Sequence, residues 1–194
     1  MTKPMKIRVD QLSTTPDAYA FEADDGWWRE RVPSGELPGA LLEGFQIRVD
    51  VHRMGDDILF AGKVAGALEV ECARCLTRYR HALQEDFALV AEPAGTRLPA
   101  DPEAAGALRG EGLCLGDEPE VGWYQGAELA LDSLCLEVIS LALPVQPLCR
   151  EGCPGLCSRC GAELNQGPCG CDEARPNSPF AVLAALRGDT EGVS

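Results

Sequence analysis

The cysteines constrain this chain more than any other feature: there are ten in 194 residues, and eight of them fall into close pairs. The pairs are Cys72/Cys75, Cys149/Cys153, Cys157/Cys160 and Cys169/Cys171, with Cys114 and Cys135 left over. How such pairs are read depends on compartment. The opening stretch, Met-Thr-Lys-Pro-Met-Lys-Ile-Arg-Val-Asp, lacks the apolar run of a secretory signal. No segment approaches the roughly 18 uninterrupted apolar residues that a membrane-spanning helix needs. The expectation is therefore a cytoplasmic chain without a membrane partner. In a reducing cytosol, clustered cysteines point to metal or catalysis rather than to disulfides.

Zinc favours four thiolates in a tetrahedron, and two close pairs from separate turns supply that geometry at small entropic cost. A Cys-x-x-Cys turn lets both sulfurs face one ion, and Gly161 after Cys160 permits the tight reversal. Four pairs can combine into two sites in three ways. Spacing favours Cys157, Cys160, Cys169 and Cys171 together, because only eight residues separate the inner ligands. Cys72, Cys75, Cys149 and Cys153 then make the other site. A rival arrangement crosses Cys72/Cys75 with Cys157/Cys160. Cys169-Gly170-Cys171 is the awkward pair: in an extended strand its side chains point to opposite faces, so Gly170 must turn the backbone. The cofactor expected is zinc, two ions, with a structural role.

The remaining pattern predicts an α+β fold, an antiparallel sheet or hairpin body packed by one main helix. Lys6 to Asp10 alternates like a strand, and Trp27-Trp28 follows the acidic turn Asp24-Asp25-Gly26, suited to core or edge packing. Phe45, Ile47, Val49 and Val51 alternate strictly, and Gly55-Asp56-Asp57 supplies turn chemistry. Two further strands run from Ile58 to Val70 and from Tyr79 to Val90, which places Cys72 and Cys75 at a hairpin tip. Leu131, Leu134, Cys135, Val138, Ile139 and Ala142 form one helical stripe that stops before Pro144, so Cys135 is a small core residue. Residues 91–122 hold four Pro, six Gly and seven acidic against two basic residues, and read as a mobile acidic loop with Cys114 as a bystander. Ser178-Pro179 starts a short C-terminal helix that Gly188 ends, with Phe180, Leu183, Ala184 and Leu186 available to dock it. The expected division is a body at 1–146 and a Cys-rich zinc module with that helix at 147–194.

Composition restricts function. A formal charge of −14, with lysine only at positions 3, 6 and 63, repels phosphate backbones and argues against a general nucleic-acid surface. His52 and His81 sit in strand-like sequence and make poor candidates for catalytic bases. No Gly-rich phosphate loop or nucleophile elbow occurs. Sites closed by four cysteines leave no open position for water, so they hold folds together and rarely catalyse. The chain therefore reads as no enzyme, with no small-molecule substrate. A thiol redox protein using a Cys-x-x-Cys, or a zinc-stabilised interaction adaptor, are the alternatives.

Several stretches together resemble the bacterial YceD family, also called DUF177. Glu71-Cys72-Ala73-Arg74-Cys75-Leu76 is similar to its Cys-x-Arg-Cys-Leu motif, and Leu141-Ala142-Leu143-Pro144-Val145 to its helix-ending Leu-x-Leu-Pro. Gly155-Leu156-Cys157-Ser158-Arg159-Cys160-Gly161 to Asn165 resembles its Gly-Leu-Cys-x-x-Cys-Gly-x-x-Leu-Asn, and Pro176 to Leu183 its terminal helix. The resemblance implies a ribosome-biogenesis factor that supports large-subunit (23S) ribosomal RNA, and it favours grouping Cys72/Cys75 with Cys149/Cys153. The implied partner is a ribosome-assembly protein or a large-subunit precursor. Given the acidity, direct contact with ribosomal RNA would need a small arginine surface. Arg74, Arg78, Arg80, Arg150 and Arg159 are candidates, unless they simply offset nearby thiolates.

Overall fold

Three long runs of alternating apolar residues form the centre of the computed structural model, which describes residues 5–32, 39–116, 118 and 120–171. They are β3 (Ala40–Met54), β4 (Asp57–Glu71) and β5 (Arg78–Pro93). Before them come β1 (Lys6–Arg8), β2 (Asp17–Ala23) and α1 (Asp25–Arg31). After them come α2 (Pro102–Glu111), β6 (Leu113–Leu115), β7 (Val121–Tyr124), β8 (Glu128–Ala130) and α3 (Asp132–Ala142). The fold is α+β. The chain divides into two compact units, Met1–Cys153 and Pro154–Ser194, and every element just named belongs to the first.

The main sheet has six strands in the order β2-β3-β4-β5-β7-β6, and β1 pairs with β8 in a separate ribbon. It is mixed rather than wholly antiparallel, because β7 runs parallel to β5. A parallel neighbour needs a crossover, and the chain supplies one through α2 and β6. Residues 91–122, expected to be a loop, therefore carry a helix and a strand. The helix has the usual end signals: Asp101 accepts a hydrogen bond from the Ala104 amide (2.7 Å), Pro102 opens the first turn, and Gly112 ends it at φ 76°. Glycine and acid content concealed those signals. Three helices, not one, pack the described residues.

One face of the sheet makes the core. Phe45, Ile47, Val49 and Val51 of β3 share it with Phe60, Val64, Leu68 and Val70 of β4 and with Leu83 and Leu89 of β5. Leu134, Cys135 and Ile139 of α3 pack against β4 and β5, so the helical stripe and the role of Cys135 hold. The buried pair Trp27 and Trp28 comes from α1, whose first turn is the Asp24-Asp25-Gly26 stretch, with Asp24 accepting from the Trp27 amide at 2.8 Å. Each large side chain so buried contributes about 1.5–3 kcal/mol. Cys114 sits in a satellite cluster with Ala94 and Leu108.

One buried charge organises the helices. Asp132, only 2% exposed, accepts from the Trp27 indole at 2.7 Å and lies 3.5 Å from Arg31. Arg31 also bonds Glu111 at the end of α2 (2.8 Å), and Glu111 in turn accepts from the Ser133 amide at 3.1 Å. That carboxylate satisfies an orphan amide at the N-terminus of α3 and favours its dipole. The α3 helix then stops at Leu143, in extended conformation, before Pro144. The C-terminal helix expected around Ser178 to Gly188 lies outside the described residues.

The glycines of β4 are filled by rings from neighbouring strands. A Cβ on Gly66 would lie 2.4 Å from the Phe45 ring, and one on Gly62 would lie 2.5 Å from the Phe87 ring. By contrast, Gly106 within α2 faces open space. Chemical denaturation should therefore show Gly66→Ala destabilised by about 1–3 kcal/mol through overpacking. Gly106→Ala should be stabilised by about 0.5–1 kcal/mol through helix propensity. Equal effects at the two positions would contradict the packing described.

Candidate metal centres

The β4–β5 ladder runs without a register shift from Ile58↔Ala91 to Glu71↔Arg78, and the chain between those last partners is the first Cys-x-x-Cys turn. Two backbone bonds shape it: the Cys72 amide donates to the Thr77 carbonyl (3.0 Å), and the Leu76 amide to the Cys72 carbonyl (2.9 Å). Leu76 is left-handed at φ 60°, a conformation that costs a non-glycine residue about 1–2 kcal/mol. Cys72 and Cys75 are both buried. The hairpin-tip expectation holds.

The segment after α3 brings the second pair to this turn. The Ala73 amide donates to the Pro147 carbonyl (2.8 Å), and the Cys153 amide to the Arg150 carbonyl (3.1 Å). Arg74 closes the arrangement by donating to the Cys153 carbonyl at 2.9 Å. The sulfurs of Cys72 and Cys153 lie 3.8 Å apart, those of Cys75 and Cys149 3.7 Å apart, and all four are within 4.8 Å of one another. A zinc ion with bonds of about 2.3 Å to four sulfurs has a tetrahedral edge of about 3.8 Å. A disulfide would need about 2.05 Å, and all ten cysteines are free thiols. The donor set fits a soft divalent cation.

The second group repeats the turn. The Cys157 amide donates to the Ala162 carbonyl (2.8 Å), the Gly161 amide to the Cys157 carbonyl (2.9 Å), and Gly161 has φ 73°. Residue for residue this is the hydrogen-bond scheme of Cys72 to Thr77, with glycine where the first turn has Leu76. The shared Cys-x-Arg-Cys spelling, Cys72-Ala73-Arg74-Cys75 and Cys157-Ser158-Arg159-Cys160, was the sequence signal for that equivalence. The Arg159 amide also donates to the Cys157 sulfur at 3.4 Å. The chain bends at Gly170, and Cys169 and Cys171 join Cys157 and Cys160 with all four sulfurs within 4.8 Å. The two groups are those that spacing favoured, and the crossed alternative is not formed.

Ionisation within each group is uneven. Burial pushes the Cys72 thiol up, but the amides of Cys149, Cys75 and Arg74 outweigh it and bring it down to about 6. Backbone amides of Cys160 and Arg159 bring Cys157 to about 6 as well. Burial and the neighbouring sulfurs push Cys149 up to about 12, and hydrogen bonding to Cys160 followed by burial does the same for Cys171. One thiolate forms readily in each group and inhibits the next; a divalent cation removes that conflict. Cys135, raised to about 12 by burial and then by Asp132 and Glu111, and Cys114, raised by burial, belong to neither group.

The arginines near the first turn are engaged within the protein. Besides the bond from Arg74, Arg80 pairs with Glu43 at 2.7 Å and Arg78 with Glu69 at 3.5 Å. Arg150 is exposed in the same unit, while Arg159 belongs to the second unit. His52 and His81 lie in β3 and β5, and His81 packs edge-on against Tyr79. Sequence reasoning did not foresee the bracing by Arg74 or the strap from Pro147 to Ala73.

Fold and site together define an α+β protein carrying two four-cysteine clusters, each able to hold a metal ion. The profile of one family matches residues 60–187, a span that includes both clusters, and its description is large ribosomal RNA subunit accumulation protein YceD. The chain belongs to the YceD family. It is 31% identical over 172 residues to uncharacterized proteins of Mycobacterium bovis and Mycobacterium tuberculosis, covering 87% of this chain and 74% of theirs. The Arabidopsis thaliana protein named large ribosomal RNA subunit accumulation protein YCED homolog 1, chloroplastic, is 24% identical over 159 residues, 73% of this chain and 48% of that one. No solved structure matches.

Because the two groups lie in separate units, loss of one ligand should empty one site only. Elemental analysis of protein purified under reducing conditions should find about two zinc per chain, from four thiolates per ion. Cys72→Ser and Cys157→Ser should each lower that to about one, and the double variant should hold almost none. Full zinc content in Cys72→Ser would refute the first grouping.

Proposed function

We propose that this protein is a non-catalytic assembly factor that supports the synthesis, processing or stability of large-subunit (23S) ribosomal RNA in the cytoplasm. Two structural zinc ions would be held by Cys72, Cys75, Cys149 and Cys153 and by Cys157, Cys160, Cys169 and Cys171. The observation that carries this reading is the family match across residues 60–187. Closed four-sulfur geometry supports a scaffold rather than a catalyst, since a structural site of this kind has no vacant position for water or substrate. The partner would be a ribosome-assembly protein or a large-subunit precursor. Contact through protein is favoured over RNA, because the net charge is −14 and the arginines at the first turn are paired internally. The Cys-rich segment that begins at residue 147 then clasps the hairpin tip through Cys149 and Cys153. No helix among the described residues is long and apolar enough to cross a membrane.

One observation favours a second reading, a thiol redox protein: the Cys-x-x-Cys turn occurs twice, at Cys72/Cys75 and Cys157/Cys160, and Cys160 is exposed. Depletion in the source cell separates the two. The assembly reading expects less mature large-subunit RNA and a deficit of large subunits in gradient profiles, with small-subunit RNA unchanged. Normal subunit profiles, together with metal-free thiols that alkylate rapidly in the purified protein, would replace it with the redox reading.

A further inference from the structure

A groove of about 470 Å³ opens between α2, α3 and the β6–β7 ribbon. Its walls are largely apolar, with Ala104, Ala107, Leu115, Trp123 and Leu136 among them. On α3, Leu141 stands one helical turn beyond the lining Glu137 and is 77% exposed. An exposed leucine on the same helix face as a groove lined by Trp123 and Leu136 extends the apolar area open to a partner.

The charge on this groove has one sign. Asp101, Glu103 and Glu137 line it, and no lysine or arginine does. Asp101 is occupied in capping α2, but no ion pair to Glu103 or Glu137 occurs among the described residues. Glu137 is held above the ordinary carboxylate range by partial desolvation and then by the Asp101 charge. A cation stands at the edge: Arg97 lies 5.3 Å over the Trp123 ring, yet Glu92 already neutralises it at 2.7 Å. Carboxylates beside apolar walls are stabilised by a cation brought in from outside.

We propose that this groove is the docking site for a basic amphipathic segment of a partner protein. Its apolar side chains would seat on Trp123, Leu136 and Leu141, and its Lys or Arg side chains would meet Glu103 and Glu137. Nucleic acid is the wrong occupant, because the same carboxylates repel phosphate. A second copy of this chain is poorly suited too, because it would bring its own net charge of −14 to the same carboxylates. The inference deepens the ribosomal reading, since proteins that pack against RNA carry basic segments. Its test reads peptide binding and the depletion experiment reads RNA, so either can fail alone.

The test is calorimetric titration of the full-length, metal-loaded chain with a synthetic peptide of leucine and lysine at helical spacing. The proposal expects saturable binding that weakens about tenfold or more in Glu137→Lys and in Leu141→Asp. It also expects a lysine–serine peptide of equal charge to bind about tenfold more weakly. Thermal melting checks the fold of each variant, and Glu137→Gln replaces Glu137→Lys if that one fails to fold. Unchanged affinity in the folded variants, or equal binding of the lysine–serine peptide, would reduce the effect to general charge and overturn the proposal. Self-association of the free chain that Leu141→Asp abolishes would assign the groove to a second copy and overturn it as well.

Discussion

The β4–β5 ladder is the constraint on which the first metal centre depends. Its pairing continues unbroken to Glu71↔Arg78, and the Cys72–Thr77 backbone bond extends it by one more step. Side chains alternate along a strand, so a slip of one residue would turn Phe60, Val64 and Leu68 away from the core. Register is therefore fixed by burial far from the cysteines. The turn inherits it, and the two sulfurs emerge on the side where the returning segment arrives. Core packing sets the direction of the thiols; the thiols do not set the core.

That returning segment is aimed by the helices. The Asp132–Trp27–Arg31–Glu111 network joins α1, α2 and α3, fixing where α3 begins. Extended Leu143 and Pro144 then release the chain toward Pro147, whose carbonyl meets the first turn. A buried carboxylate so arranged is costly to desolvate and is retained here with an arginine and an indole as partners. The same network seats α2 against α3, and so builds the groove lined by Glu137 and Trp123.

Much of this was legible in the residues themselves. Strict alternation at Phe45, Ile47, Val49 and Val51, the helical stripe ending before Pro144, and the eight paired cysteines all led to the observed elements and groupings. What stayed hidden had local causes. Composition masked α2, although Asp101, Pro102 and Gly112 mark its ends. The short strands β6, β7 and β8 owe their existence to partners distant in sequence, and three or four residues carry too little periodicity to announce them. The parallel β5–β7 pairing is a tertiary choice for the same reason. The strained Leu76 was visible only as geometry, because its position in the second turn is held by Gly161.

The two cysteine groups differ in how much chain they close. Cys72 and Cys153 are 81 residues apart, and Cys75 and Cys149 are 74 apart, whereas the second group lies within residues 157–171. Closing a long loop removes more freedom from the unfolded chain than closing a short one, though the difference grows only logarithmically. An ion in the first group would thus behave as a reversible cross-link between distant parts of the polypeptide. An ion in the second would be a local rivet. Thiol-reactive or chelating stress would then reach the whole body through one cluster, while the other could come and go with only its own few turns to rearrange.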